Sequence, residues 1–445
     1  MEENNNDFAM DDKRELRRKR RVRNQMVVFI SAGVLLIGIA LSATWGIGEL
    51  ATRLAAKPLT VTEVDEGVSA ESEIIEEPIE VEIPEEEVIE EPVVEIDPLD
   101  VAVDEIIAQL TIEDKVAGLF FITPEALTDT DLVVRAGETT EERLLTYAVG
   151  GLIYDGDNIQ TAEQLGEMLT NTTDMSKYPI FLGIEEEGGG MAPVADHDLG
   201  EVVEDMGTIG QNGDSDAAVS VGETIGTYLS ELGFNTNFAP IADISANEEG
   251  AVSGERFFGT DPVIVGEMSS AVVTGLQSTG INACLKYFPG VGDTTSDTGG
   301  GMVVIEKTLE EMQASDFIPF RSGIEAGVAM IMVGHVSAPA VVGDNTQASL
   351  SPRMITEILR GELGYDGIVI TDSLDMGVVT EYYSSGEASV KALQAGADML
   401  FKPENFTEAY DAVLAAVQDG TISEERIDES LRRIYRIKYA DQVQE

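Results

Sequence analysis

From residue 101 onward, short apolar runs alternate with amphipathic segments. Eight runs have the length and the β-branched or aromatic content of strands buried on both faces. They lie at residues 117–121, 151–154, 180–184, 235–240, 283–288, 330–334, 368–371 and 399–401. Spacing of apolar positions at three and four residues predicts helices between them, for example at 162–170, 217–232, 263–278, 352–363, 386–395 and finally 422–439.

This alternation defines the expected fold class. Strand and helix alternating eight times over about 340 residues is typical of a single α/β (β/α)8 TIM-type barrel. An open, doubly wound α/β sheet is the alternative architecture. We assign residues 101–445 to this domain.

The amino-terminal region has a different pattern. Residues 1–25 carry eight Lys or Arg, and residues 26–47 form an uncharged apolar run of 22 residues. A helix of about 20 apolar residues spans a bilayer, and basic flanks stay in the cytoplasm. We therefore expect a single-pass cell-membrane anchor with an extracellular barrel domain. A cleaved signal peptide is the alternative, although its apolar core is normally shorter, about 7 to 15 residues.

Residues 48–100 form the predicted linker. Positions 61–100 hold 17 Asp or Glu, no Lys or Arg, and prolines at 78, 84, 92 and 98. Charge repulsion and proline stiffness predict an extended, disordered acidic spacer. The whole chain has a formal charge of −56, which repels phosphate backbones and argues against nucleic-acid binding.

Composition limits the other partners. Cys284 is the single cysteine, so the chain has neither an internal disulfide framework nor a cysteine-based metal site. His197 and His335 are the only histidines, and their surroundings lack metal-ligand spacing. We expect no metal and no cofactor, and we expect a monomer.

Polar residues follow several of the predicted strands. They are Glu185 after the third, Asp243 and then Arg256 after the fourth, Lys286 at the end of the fifth, His335 after the sixth and Asp372 after the seventh. Loops at this end of barrel strands build active sites. Asp372 alone could equally cap the following helix. Carboxylates among hydroxyl-binding cations favour glycosidic chemistry and a carbohydrate substrate.

Longer stretches carry a family resemblance. Residues 111–116 read T-I-E-D-K-V, 150–153 G-G-L-I, 237–243 N-F-A-P-I-A-D, 256–262 R-F-F-G-T-D-P and 363–376 L-G-Y-D-G-I-V-I-T-D-S-L-D-M. In this order they resemble glycoside hydrolase family 3, in its single-barrel β-N-acetylhexosaminidase branch, from about residue 107 to 438. The resemblance implies a barrel, a retaining mechanism and a carbohydrate substrate.

The same resemblance suggests individual roles. Asp372 matches the catalytic nucleophile, and Lys286, Arg256 and Glu185 match positions that contact the sugar. Asp243 and His335 also match, and we include them in the candidate binding site in supporting roles.

The chain departs from the family pattern at the acid/base loop. The family reads K-H-F-P-G-H-G-D-T-x-x-D-S-H, whereas residues 286–299 read K-Y-F-P-G-V-G-D-T-T-S-D-T-G. The Asp of the family's Asp-His pair is retained as Asp297, but Gly299 replaces the histidine that serves as acid/base. Asp297, Glu306 or Glu248 could substitute as the acid.

Further departures affect sugar binding. In the family motif D-Q-E-G-G-R-V-x-R, Gly190 and Pro193 stand where arginines are expected, and Tyr287 replaces the histidine after Lys286. Two hypotheses follow. The first is a membrane-anchored, extracellular retaining glycosidase acting on terminal β-linked N-acetylhexosamine or a related sugar, for example in cell-wall glycan. The second is a catalytically impaired barrel that binds glycan or acts as a scaffold at the cell surface.

Overall fold

The computed structural model of the chain describes residues 97–244, 254–290 and 301–440. The predicted membrane anchor at 26–47 and nearly all of the predicted linker lie outside these residues, as do Asp297, Gly299 and Glu248. Within the described ranges, no helix is both long enough and apolar enough to cross a bilayer.

Eight parallel strands form the centre of the domain. They are β1 Phe120–Ile122, β2 Gly151–Ile153, β3 Phe181–Ile184, β4 Thr236–Asn237, β5 Asn282–Phe288, β6 Met330–Val333, β7 Ile368–Thr371 and β8 Leu400–Phe401. Each strand pairs with the next along the chain, in the order β7-β6-β5-β4-β3-β2-β1-β8.

The sheet closes on itself. Strand β8 pairs with β1 in parallel, with Phe120 opposite Leu400. On its other side, Ile370 of β7 forms a parallel bridge with Met399. Sequential order with closure is the topology of a (β/α)8 barrel and not of an open, doubly wound sheet. The predicted fold class is confirmed at this level.

Helices surround the strands, one principal helix following each strand. These helices are Glu138–Thr146, Ala162–Met175, Ser215–Leu232, Pro262–Ser278, Phe317–Glu325, Arg353–Glu362 in a wide π conformation, Ser385–Ala395 and Phe406–Gln418. The remaining helices are Pro98–Ile107, Ile112–Ala117, Pro124–Thr128, Met206–Asn212, Leu309–Ala314, Pro339–Val342, Gly377–Thr380 and Glu424–Lys438.

Local sequence fixes where these helices begin and end. Asp261 caps Pro262–Ser278 by accepting from the Val263 and Ile264 amides. Ser384 and Glu387 form a capping box at the start of Ser385–Ala395. Gly396 ends that helix with φ 111°, a conformation that glycine adopts without a Cβ clash.

Aromatic rings fill the barrel interior. The ring centroids of Phe121 and Phe238 are 4.9 Å apart, and those of Phe238 and Phe401 are 4.8 Å apart. A Cβ at Gly151 would lie 2.6 Å from the Phe121 ring, and one at Gly183 would lie 2.8 Å from the Phe238 ring. Small residues on β2 and β3 therefore provide the space that the rings occupy.

Helix Glu424–Lys438 lies across the amino ends of the strands, a face we call the floor. Arg426 donates to the Ala397 carbonyl before β8, and Lys438 donates to the Gly150 carbonyl before β2. Asp398 is completely buried beneath this helix and accepts from Arg360, Arg433, Ser430 and the Val369 amide. The same helix holds the first described residues, because Arg436 pairs with Asp97 and Asp100.

All eight predicted strands overlap observed strands, with two marked differences in bounds: the fourth was predicted at 235–240 but covers only Thr236–Asn237, and the first is shifted. The sequence predicted the first strand at 117–121, whereas β1 begins at Phe120. The preceding helix begins at the Thr111 cap with an acidic first turn and runs to Ala117, and residues 118–119 form the turn before β1.

Candidate active site

The carboxyl ends of the strands form the opposite face of the barrel, which we call the mouth. Glu185, Lys286, Arg256 and Asp372 meet there, as the sequence predicted from their positions at strand ends. Glu187, two residues after Glu185, joins them. We refer to these five residues as the charged cluster.

Glu187 and Lys286 form the centre of this cluster. The Lys286 ammonium is fully buried and lies 2.6 Å from Glu187 Oε1 and 3.2 Å from Glu185 Oε1. Arg256 holds Glu187 bidentately, with Nε 2.7 Å from Oε2 and Nη2 2.6 Å from Oε1. Two cations therefore share one buried carboxylate, which fixes both in position.

The charges stabilise one another. Burial opposes the charge on Lys286, yet the carboxylates of Glu185 and Glu187 raise its pKa well above the ordinary value. Burial likewise opposes ionisation of Glu187, but Lys286 and Arg256 hold its pKa below the ordinary value. The group is a network of ion pairs centred on Lys286 and Glu187.

The loop after β3 aims Glu187 inward by anchoring its neighbour. The Glu186 carboxylate accepts from the Val194 amide at 2.8 Å and from the Tyr228 hydroxyl at 2.8 Å. Asn237 at the end of β4 holds the Glu186 backbone, accepting from its amide and donating to its carbonyl. With Glu186 turned away, the adjacent Glu187 faces the mouth.

Tyr287 lies over this cluster and was not predicted as a site residue. Its ring centroid is 5.3 Å from Lys286 Nζ, and its side chain hydrogen-bonds with Arg256. Burial raises its pKa, and the nearby charges of Glu185 and Asp372 raise it further, so the hydroxyl is neutral. Its position beside Lys286 in sequence was the signal that could have identified it.

Asp372 is half-buried at the end of β7. Its amide donates to the Val333 carbonyl at 2.9 Å, and its Oδ1 accepts from the Ser373 amide at 2.7 Å. Burial raises its pKa, and the Glu185 charge raises it further, whereas His335 and Lys286 act in the opposite direction. The next helix begins at Gly377 with Met376 as its N-cap, so Asp372 does not cap it.

His335 lies behind Asp372. It is completely buried, with Nδ1 2.7 Å from Ser349 Oγ and Nε2 2.9 Å from the Ser373 carbonyl oxygen. Burial lowers its pKa. Both ring nitrogens are engaged within the protein, so His335 supports the Asp372 loop and is not placed to bind sugar.

The other candidates lie at the margin or beyond the described part of the chain. Asp243 is buried at the end of β4 and accepts from the Ile244 amide at 2.8 Å. Glu306 is exposed, after a segment that pairs with Ser337. The structure does not describe Asp297 or Glu248, so it assigns no residue as the acid.

A cavity of about 230 Å³ adjoins the charged cluster at the mouth. Residues from the ends of four strands line it, among them Thr123 after β1, Asp155 after β2, Glu185 after β3 and Lys402 after β8. Lys402 has φ 43°, an uncommon backbone conformation outside glycine that often marks functional positions. Glu185 belongs to both the cavity and the cluster, so the two form one continuous site.

The arrangement suits attack by a carboxylate on a polyhydroxylated substrate. Asp372 is a partly exposed carboxylate, Lys286 and the Tyr287 hydroxyl supply donors near it, and Arg256 supplies further donors next to Tyr287. Across the described ranges, no group of three or more His, Cys, Asp or Glu is arranged to hold a metal ion. A barrel with such a mouth defines a class of carbohydrate-active α/β-barrel proteins.

Comparison with known proteins identifies the family. Residues 102–437 match the Glycosyl hydrolase family 3 N terminal domain. The chain therefore belongs to glycosyl hydrolase family 3, as its sequence motifs predicted.

Individual relatives carry related names. The chain is 31% identical over 340 residues to "Beta-hexosaminidase A" of Pseudoalteromonas piscicida, covering 68% of this chain and 56% of that protein. It is 30% identical to the "Beta-hexosaminidase" of Nitrosomonas eutropha, covering 63% of this chain and 81% of that protein. A solved family 3 β-N-acetylglucosaminidase from Paenibacillus sp. str. FPU-7 is 33% identical with a TM-score of 0.70, covering 76% of this chain and 64% of that chain. The chain thus spans less than two thirds of the first and third of these proteins.

Proposed function

We propose that the protein is a retaining glycoside hydrolase that cleaves terminal β-linked N-acetylhexosamine or a related sugar. The observation that carries this proposal is Asp372, a partly exposed carboxylate at a strand end, close enough to the fixed cation Lys286 to interact with its charge. Family membership and relatives named as hexosaminidases support it.

In the proposed mechanism, Asp372 attacks the anomeric carbon as the leaving oxygen departs. This forms a covalent glycosyl-enzyme, which water then hydrolyses with overall retention of configuration. Lys286 and Arg256 donate to sugar hydroxyls and hold the anomeric carbon in line with Asp372. His335 holds the Ser373 carbonyl and thereby the backbone that carries the nucleophile.

The leaving oxygen needs a proton unless the leaving group is already a stable anion. Gly299 stands where the family carries its acid/base histidine, and general acid catalysis typically contributes about 10² to 10⁴-fold. We therefore expect rapid cleavage of aryl glycosides that have acidic phenol leaving groups. We expect slow cleavage of glycosides with alkyl leaving groups.

The test is a series of aryl β-N-acetylglucosaminides whose phenols span a wide range of acidity, hydrolysed by the full-length chain. Asp372→Ala should abolish cleavage across the series. Asp366→Asn is the matched control, because that carboxylate is 92% exposed before β7 and contacts Arg433 alone among the described salt bridges. Cleavage that survives Asp372→Ala would exclude Asp372 as nucleophile.

A second candidate function is glycan binding without turnover, and Gly299 is the observation that favours it. Inactivity toward every aryl glycoside, together with measurable binding of N-acetylglucosamine oligomers, would establish this alternative. Gly299→His is a second test that distinguishes hydrolysis from binding without turnover. A large gain with poor leaving groups is expected only if the site retains its catalytic geometry.

We also propose that the barrel domain is held outside the cell by a single-pass membrane anchor at residues 26–47. The support is the uncharged run of 22 residues after a strongly basic segment. Protease treatment of intact cells should remove the barrel domain and leave a membrane-bound amino-terminal fragment. A barrel domain that resists protease until the cells are lysed would refute this placement.

A further inference from the structure

The cavity beside Glu185 occupies the place where the family motif has two arginines. Gly190 and Pro193 stand at those positions, and both line the cavity. A Cβ built at Gly190 would meet nothing within 4 Å. The side chains that would normally fill this space with positive charge are absent, and the space is open.

The remaining charges in the cavity are mainly negative. Its charged lining comprises the carboxylates of Asp155, Glu185 and Asp196 and the single ammonium of Lys402, and Glu185 is also paired with Lys286 at 3.2 Å. The Asp155 carboxylate is fixed in place by accepting from the Asp157 amide at 2.9 Å. These four groups therefore carry a formal excess of two negative charges, which two arginines would neutralise.

The shape of the cavity favours a small ring or substituent. Its volume of about 230 Å³ lies below the range of about 300 to 1,000 Å³ that is typical of sites for drug-sized ligands. Ile153, Met191 and Pro193 contribute apolar walls, and three carboxylates lie among the other lining groups. A compact group with one apolar face and one cationic centre is complementary to these walls.

We propose that this cavity recognises an amino group on the sugar, so that the substrates are cationic glycosides such as those containing un-acetylated hexosamine. The inference rests on the proposed function for its location in the active site, but it concerns binding and not turnover. An ammonium group in the cavity would lie among Asp155, Asp196 and Glu185. An anionic substituent would be repelled by the same three carboxylates.

Binding of methyl glycosides to the full-length chain tests the proposal by calorimetry at mildly acidic pH and physiological salt. The probes are methyl β-glucoside, its 2-amino-2-deoxy and 6-amino-6-deoxy derivatives, and methyl β-N-acetylglucosaminide. At least one amine should bind about fivefold to tenfold more tightly than the glucoside, since each accessible carboxylate adds a modest attraction. Equal affinities, or no detectable binding of either amine, would overturn the proposal.

Gly190→Arg is the decisive variant, with Gly190→Gln as its uncharged control of similar reach. The arginine should reduce the preference for the amine to about twofold or less, whereas glutamine should leave most of it. Asp366→Asn should not alter the preference, which separates this pocket from the general negative charge of the protein. A preference unchanged by Gly190→Arg would overturn the assignment to this cavity.

The binding measurements and the hydrolysis measurements can refute their two proposals independently. Amine preference without any glycoside cleavage would refute the hydrolase and retain the cationic pocket. Cleavage of aryl glycosides without amine preference would do the reverse.

Discussion

Replacing Glu187 with glutamine should remove the negative charge that holds Lys286 and Arg256 together in the charged cluster. The Glu187 carboxylate is nearly completely buried and accepts three charge-assisted hydrogen bonds, at 2.6 and 2.7 Å from Arg256 and 2.6 Å from Lys286. Glutamine has nearly the same shape but no charge. The ammonium of Lys286 would then remain fully buried, with the partly exposed Glu185 as its one remaining salt-bridge partner among the described residues.

The expected cost follows from this geometry. Removing one partner of a buried ion pair destabilises a protein by about 3 to 5 kcal/mol, because the other charge stays desolvated. We expect Glu187→Gln to lower the free energy of unfolding by about 3 kcal/mol. Displacement of Lys286 and Arg256 by about 1 Å should also reduce kcat/KM by about 10²-fold.

Urea-induced unfolding followed by far-UV circular dichroism measures the stability change, and aryl glycoside hydrolysis measures the activity. Glu185→Gln is the matched control. Its carboxylate contacts the same ammonium at 3.2 Å but is 40% exposed, so its loss should cost about 1 kcal/mol or less.

A double variant tests the physical reason directly. Lys286→Met removes the cation that Glu187→Gln leaves unpaired, so the two substitutions together should cost less than the sum of the single changes by about 0.5 to 3 kcal/mol. Additive costs, or a single-variant cost below about 1 kcal/mol, would show that Glu187 and Lys286 are not energetically coupled and would refute the reasoning.

Three further predictions concern pH and stability. In a pH profile of kcat/KM, activity should fall on the acidic side at a pH above the ordinary pKa range of an aspartate, because the pKa of Asp372 is raised. Glu185→Gln should move this fall to lower pH, because it removes a negative charge that opposes ionisation of Asp372. Burial lowers the pKa of Lys438 from 10.5 to about 7, so the unfolded state binds more protons than the folded state between these pH values. The free energy of unfolding should therefore rise with pH across that interval. In urea titrations, Lys438→Met should remove this rise and should increase the free energy of unfolding most below pH 7. Asp398→Asn should lower the free energy of unfolding by about 3 to 5 kcal/mol, because Arg360 and Arg433 would lose their buried counter-charge. An unchanged midpoint of urea unfolding would contradict this prediction.

The strands could be predicted from the sequence because buried strands consist of runs of apolar and β-branched residues. The run Ile368–Thr371 is apolar or β-branched throughout, and the structure buries all of it. The sequence was weaker at helix boundaries. Helix Ile112–Ala117 includes Ala117, whose apolar character alone suggested that it belongs to strand β1.

The site was only partly predictable for a different reason. Position at a strand end identified Glu185, Lys286 and Asp372, but it could not decide which of the three consecutive glutamates turns away from the mouth. That choice depends on Tyr228 and on Asn237, which hold Glu186 and are distant from it in sequence. Long-range hydrogen bonds of this kind leave no local pattern.

The floor of the barrel has a consequence for how the molecule meets a polymer. Arg436 ties Asp97 and Asp100 beneath the strands, so the chain enters the domain on the face remote from Asp372. Residue 97 therefore lies on the face opposite the one that carries the charged cluster. Immobilising the domain through its amino-terminal side would therefore present the mouth to the surroundings, as in an enzyme grafted to a support by its base.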